Sequence, residues 1–219
     1  LGWEALSREN PKLILVRISG YGQTGPYRER PGFAAIAEAV GGFRHVNGFP
    51  DRPPARPNLS LGDTLASLHG VIGALLALHA VQKGSKGQVI DVALYESVFN
   101  VMESLLPEYD AQGYVRERSG SALPGIAPSN LYPCKGGAYV LIAGNADSLF
   151  RRLMDAIGRA DLRDDPALAK NDGRAAQMER IDSAISNWCS EKTQEEVLNA
   201  MEQAQVPAGR IYNARDIAS

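Results

Sequence analysis

Residues 13–27 read LILVRISGYGQTGPY: an apolar run, interrupted only by Arg17, that opens into a loop rich in glycine. Such a run is the signature of a strand covered on both faces, as in a parallel sheet. A glycine-rich turn at the C-terminal end of a strand is where open α/β sheets take their ligands. The loop matches neither GxGxxG nor a Walker loop, and a turn that merely needs positive φ accounts for its glycines equally well. Upstream, residues 3–8 read as a short helix closed by Asn10-Pro11. Helix followed by buried strand is half of a βαβ unit.

Working outward, residues 33–40 (FAAIAEAV) spell a small-residue helix stopped by Gly41-Gly42. Residues 43–60 form a proline- and glycine-bearing loop, too long for an idle connector. Gly62-Asp63-Thr64 opens a long helix that Gly84 ends, with Leu65, Leu68, Ile72, Leu75, Leu76 and His79 at the spacing of a buried face. Gly70, Gly73 and Ala74 keep one side of that helix thin. Residues 88–94 (QVIDVAL) read as a second strand and 96–105 as another helix. Beyond about residue 107 the texture changes: Gly136-Gly137 joins two alternating runs as a hairpin, 130–134 and 138–143. Helices follow near 146–157, 174–190 and 193–204, then a short strand in 206–212. The reading is α/β: residues 1–106 as part of a large Rossmann-like domain with a parallel sheet, 107–128 as a linker, and 129–219 as a small α+β domain.

The chain has 219 residues, 44% hydrophobic and 22% charged, with a net charge of -2. That charge gives no reason to expect nucleic acid or an anionic membrane surface. No apolar run is read as long enough to span a membrane, and no signal peptide is visible. The two cysteines, Cys134 and Cys189, are far apart and read as inert buried thiols in a reducing compartment: cytoplasm, or mitochondrial matrix or peroxisome in a eukaryote. The histidines, His45, His69 and His79, have no ligand spacing, so no metal is expected. No G-x-S-x-G elbow occurs. The chain starts without Met inside a helix and stops as another begins, so a piece of a longer protein is expected.

Asp63 follows a long loop and precedes an apolar helix. One reading is an N-cap, its carboxylate accepting first-turn N–H groups. The other is a nucleophile, since a fixed, ionised carboxylate attacks activated acyl carbons. Spacing alone leaves both open.

The runs Ser19-Gly20-Tyr21-Gly22-Gln23-Thr24-Gly25-Pro26-Tyr27, Arg30-Pro31-Gly32-Phe33, Gly41-Gly42, Leu61-Gly62-Asp63 and Lys86-Gly87-Gln88-Val89-Ile90-Asp91-Val92-Ala93-Leu94 stand in one order. Together they resemble the class III CoA-transferase family (CaiB/BaiF type), which includes formyl-CoA transferase, carnitine CoA-transferase and the 2-methylacyl-CoA racemases. The likeness continues more loosely through Ser129-Asn130-Leu131-Tyr132 and Val206-Pro207-Ala208-Gly209. It implies that Asp63 is the covalent nucleophile and that Tyr21, Gly22, Gln23, Gly32 and Phe33 line the CoA and acyl site. It implies coenzyme A or acyl-CoA as a substrate rather than a resident cofactor, a small carboxylic acid as second substrate, and an interlocked homodimer as the assembly. Similar racemases place a histidine base where this chain has Phe33. Phe moves no proton, so the resemblance favours CoA transfer over the alternatives, a racemase-type isomerase or an inactive CoA-binding fragment. The four-glycine run of formyl-CoA transferase is missing, which makes formyl-CoA and oxalate poor substrate expectations.

Overall fold

The chain divides into two compact units, Leu1–Arg118 and Ser119–Ser219, of which a computed structural model describes residues 2–219.

The first unit runs α1 (Trp3–Glu9), β1 (Leu15–Ser19), α2 (Ala34–Val40), α3 (Phe43–Val46), α4 (Leu61–Gln82), β2 (Val89–Ala93), α5 (Leu94–Phe99) and α6 (Leu105–Gln112). β1 and β2 pair in parallel, Leu15 opposite Val89 through Ser19 opposite Ala93. The two-faced burial expected for residues 13–19 is not met: Val16, Arg17 and Ile18 are exposed. The physical reason is that the sheet stops at two strands.

The α4 helix corrects a second expectation. Its leucine face points outward, and Leu68, Ile72, Leu75 and Leu76 are exposed, Leu76 to 66%. The buried positions are Gly62, Ala66, Gly70 and Ala77. A Cβ added at Gly70 would meet Val16 Cγ1 at 3.3 Å, and one at Gly73 would overlap Ile90 Cγ2. Small residues thus let the helix lie almost on the strands, and close approach, not side-chain hydrophobicity, decides which face turns in. The helix is also long and apolar enough, by length and composition, to cross a membrane, contrary to the sequence reading. Its 22 residues hold a single charged side chain, Asp63, besides two histidines.

The expected helix over 96–105 is broken. Asn100 caps α5, Glu103 sits at φ 54°, and α6 starts at Leu105 and runs to Gln112, into the stretch read as linker from residue 107. Arg116 ties this turn together, reaching Glu103 at 3.2 Å and the carboxylate of Glu108. In α2, Glu38 is fully buried and pairs with Arg44 at 2.9 Å.

The second unit is an antiparallel sheet, β3 (Ser129–Pro133), β4 (Tyr139–Ala143) and β5 (Ala208–Arg210), in that spatial order. Gly136 and Gly137, both at positive φ, make the β3–β4 turn. Helices α7 (Asp147–Ala156), α8 (Ala160–Arg163), α9 (Asn171–Ala176), α10 (Met178–Ser190), α11 (Gln194–Gln203) and α12 (Ala214–Ala218) complete it, with a 3-10 turn at Pro166–Leu168. The single helix expected over 174–190 is two, separated at Gln177. Thr193 and Glu196 cap α11 reciprocally. The core packs Tyr132, Val140 and Ile142 against Phe150, Leu153 and Ile185. Cys134 and Cys189 are free and buried there, and burial pushes the Cys189 thiol up to about 12. Arg174, fully buried, is satisfied by the carbonyls of Ala127, Leu168 and Asn145 and by Asp147 Oδ1 at 2.9 Å.

Candidate functional site

Three segments of the first unit meet through glycines. A Cβ at Gly20 would lie 3.0 Å from Gly32 Cα, so the loop after β1 touches the residue before Phe33. A Cβ at Gly62 would lie 3.2 Å from the backbone of Ala34, so the residue before Asp63 touches the one after Phe33. Chain continuity therefore brings Tyr21, Gly22, Gln23, Gly32, Phe33 and Asp63, all picked out from the sequence, to one corner.

Asp63 is the third residue of α4 and is exposed. The N-cap is Ser60, and no side chain caps the helix. The N-cap reading of Asp63 is thereby corrected: the cap position belongs to Ser60, and Asp63 stands three residues further on, in the first turn, where its side chain makes no capping bond. Among the described residues its carboxylate has no hydrogen-bond or ion-pair partner; its backbone carbonyl accepts from Ser67 Oγ at 2.8 Å. It keeps the favourable position of an anion in the first turn. Just upstream, Arg56, Pro57, Asn58, Leu59 and Ser60 line a 260 Å³ cavity. An exposed carboxylate beside uncapped helical N–H groups has the two elements of acyl transfer: a nucleophile, and donors for a developing oxyanion.

Phe33 is 80% exposed at the N-cap of α2. Tyr21 is braced from several sides. Its ring packs on Gly32, stands edge-on to Tyr27 at 5.7 Å and lies against Tyr95 at 5.6 Å. Arg30 stacks over Tyr27 at 3.8 Å. Burial and a hydrogen bond to Glu96 raise the Tyr95 hydroxyl above its ordinary range. Gly22 is buried at φ 81°, and Gln23 donates from Nε2 to Ser19 Oγ at 3.2 Å.

Two residues here escaped the sequence reading, Asp91 and Tyr95. Asp91 Oδ2 accepts the backbone N–H of Gln23 at 2.8 Å. The signal for it was an acid in the middle of an apolar strand, Val89-Ile90-Asp91-Val92-Ala93. No group of His, Cys, Asp and Glu suited to a metal occurs among the described residues.

The model of CoA-transferase family III matches residues 1–219. The chain is 47% identical over 219 residues, all of its length and 54% of the relative, to succinyl-CoA--D-citramalate CoA-transferase of Chloroflexus aurantiacus. It is 42% identical over 218 residues, 99% of its length and 54% of the relative, to the beta subunit of succinyl-CoA--L-malate CoA-transferase of the same organism. A solved CAIB/BAIF family protein from Brucella suis superposes with TM-score 0.81 at 32% identity, covering 100% of this chain and 57% of that one. The chain thus spans about half the length of the curated relatives it matches. By the match along its whole length and by its fold, the chain belongs to CoA-transferase family III.

Proposed function

We propose that this chain carries the nucleophile of an enzyme that moves CoA between carboxylic acids, with Asp63 forming the covalent intermediates. The observation that carries the reading is the exposed carboxylate of Asp63 at the start of α4, without a partner among the described residues and next to Gly62, which packs on Ala34, in a chain of this family. Asp63 attacks the thioester carbonyl of the donor acyl-CoA, giving a mixed anhydride and CoA thiolate. The thiolate attacks the aspartyl carbonyl, which frees the donor acid and leaves an aspartyl-CoA thioester. The acceptor carboxylate attacks that thioester and again expels the thiolate. The thiolate then takes the acceptor acyl group, and Asp63 is restored. Each step exchanges one acyl bond for another, so the thioester's free energy is conserved without a co-substrate.

The two Chloroflexus relatives are named for succinyl-CoA with D-citramalate or L-malate. We carry over from those names a dicarboxylic acid as donor and as acceptor. CoA enters as a substrate, with no resident cofactor, metal, nucleic acid or membrane in the scheme. The buried free thiols suit a reducing compartment such as the cytoplasm. The outward leucine face of α4 suits coverage by the remainder of a longer chain and a second copy, as in the interlocked homodimer the resemblance implies.

The test uses the full-length protein. Asp63→Ala is expected to abolish CoA exchange between succinyl-CoA and a panel of dicarboxylic acids, followed by mass. Hydroxylamine added with acyl-CoA is expected to mark Asp63 in the wild type. Labelling at another residue, or deuterium entering the α-carbon without CoA exchange, defeats the reading.

A further inference from the structure

We infer that Asp91 is a positioning residue, holding the glycine-rich loop 20–24 in the shape that presents Tyr21 and Gln23 to the CoA ester; this rests on the CoA-transfer reading above. β2 has one acid among its apolar residues, and it stands opposite Arg17 in the parallel register. Asp91 is exposed, so its charge needs no partner to be tolerated there. Yet its Oδ2 accepts the Gln23 N–H at 2.8 Å, a bond between residues 68 positions apart. Charge-assisted bonds of this kind are about twice as strong as neutral ones.

The backbone is shaped for that bond. Gly22 turns at φ 81°, and a Cβ there would lie 3.4 Å from Asp91 Oδ2 and 3.6 Å from Ala93 Cβ. Only a glycine brings the next N–H onto the carboxylate without strain. Two further contacts come from the chain after β2. The Tyr95 N–H reaches the Gly20 carbonyl at 3.4 Å, and the Tyr95 ring lies against Tyr21. The loop that leaves β1 is therefore latched by the strand beside it. One chemical consequence is that the Gln23 backbone N–H is occupied by Asp91 and is not an oxyanion donor.

The test compares wild type, Asp91→Ala and Asp91→Asn in the full-length protein. It reads amide hydrogen exchange of the peptide covering residues 20–27, thermal melting, and KM and kcat for succinyl-CoA. Asp91→Ala is expected to speed exchange in that peptide about tenfold and raise KM by a similar factor, the loss of one hydrogen bond to a charged group. Melting and exchange in β3 to β5 are expected to stay at wild-type values. Asp91→Asn keeps a carbonyl acceptor and is expected to restore both readouts to within about threefold. Unchanged loop exchange in Asp91→Ala overturns the inference, as does a KM defect in Asp91→Asn as large as that in Asp91→Ala. Failure of the CoA-transfer reading shows separately, as a wild-type protein that exchanges no CoA; the loop-exchange comparison decides the latch in either case.

Discussion

In the unit Ser119–Ser219, α7, α10 and α11 turn Phe150, Leu153, Ile181, Ile185, Val197 and Met201 inward and bury them almost completely. In the unit Leu1–Arg118, α4 turns Gly62, Ala66, Gly70 and Ala77 inward and leaves Leu68, Ile72, Leu75 and Leu76 in the open. The buried apolar cluster of that unit, among the described residues, is Ala37, Ala66, Val92, Leu94 and Val98. Both units lay helices on sheets, but only one turns its large side chains into its own core. A buried Leu contributes about 1.5–3 kcal/mol over an exposed one. The difference therefore teaches that the small unit is stabilised from within, whereas the unit holding Asp63 keeps most of its apolar surface for something else.

The most severe way to break this comparison is to separate the units. Residues 119–219 alone are expected to unfold in urea as one cooperative transition with native near-UV dichroism, and residues 1–118 alone to lack one. A cooperative transition in the second fragment would show that its modest core suffices. A finer contrast comes from truncating single side chains. Leu153→Ala or Ile185→Ala is expected to cost about 2–5 kcal/mol, from lost contacts plus the cavity left behind. Leu76→Ala in this chain is expected to stay within about 0.5 kcal/mol, as for exposed substitutions generally. Repeating Leu76→Ala in the full-length protein sharpens the point: a cost there, measured by urea midpoint, reports that the face has been covered.

Acid gives the smallest contrast. In the small unit Asp147, Asp161, Asp164, Asp165 and Glu196 are all held below the ordinary carboxylate range, against Glu108 alone in the other. The bidentate bond from Arg159 brings Asp161 down from 3.8 to about 2. A carboxyl depressed in the folded state gives its full stabilisation above its unfolded value and loses it as pH falls. The contribution of Asp161 is thus complete above pH 4 or so and fades toward pH 2. Asp161→Asn is expected to flatten that part of the urea-midpoint curve at low salt, lowering the midpoint slightly at pH 7 and leaving it unchanged near pH 2. Because the pair is solvent-exposed, added salt is expected to erase the difference.

Elements were more legible than faces. The hairpin at Gly136-Gly137 and the helices α7 and α11 follow from turn chemistry and periodicity, which are local. The inward face of α4 was not, because its leucines and its small residues both recur at helical spacing. Hydrophobicity favours turning the leucines in, and only the closeness of the two strands reverses that. The corner of the site around Asp63, Phe33 and Gly32 could be picked out because ordered motifs carry it. Asp91 could not, since its partner at Gln23 lies a whole crossover away and the strand around it reads as plain apolar sequence.

Gly73 gives the packing of α4 a mechanical meaning. The helix is a stiff rod resting on Ile90 at a point where the side chain is a single hydrogen. Asp63 sits ten residues toward the N-terminus, about 15 Å along the axis. Any bulk inserted at that pivot lifts the rod and swings the carboxylate at its far end, so the placement of Asp63 is calibrated by a missing methyl group about three helical turns away.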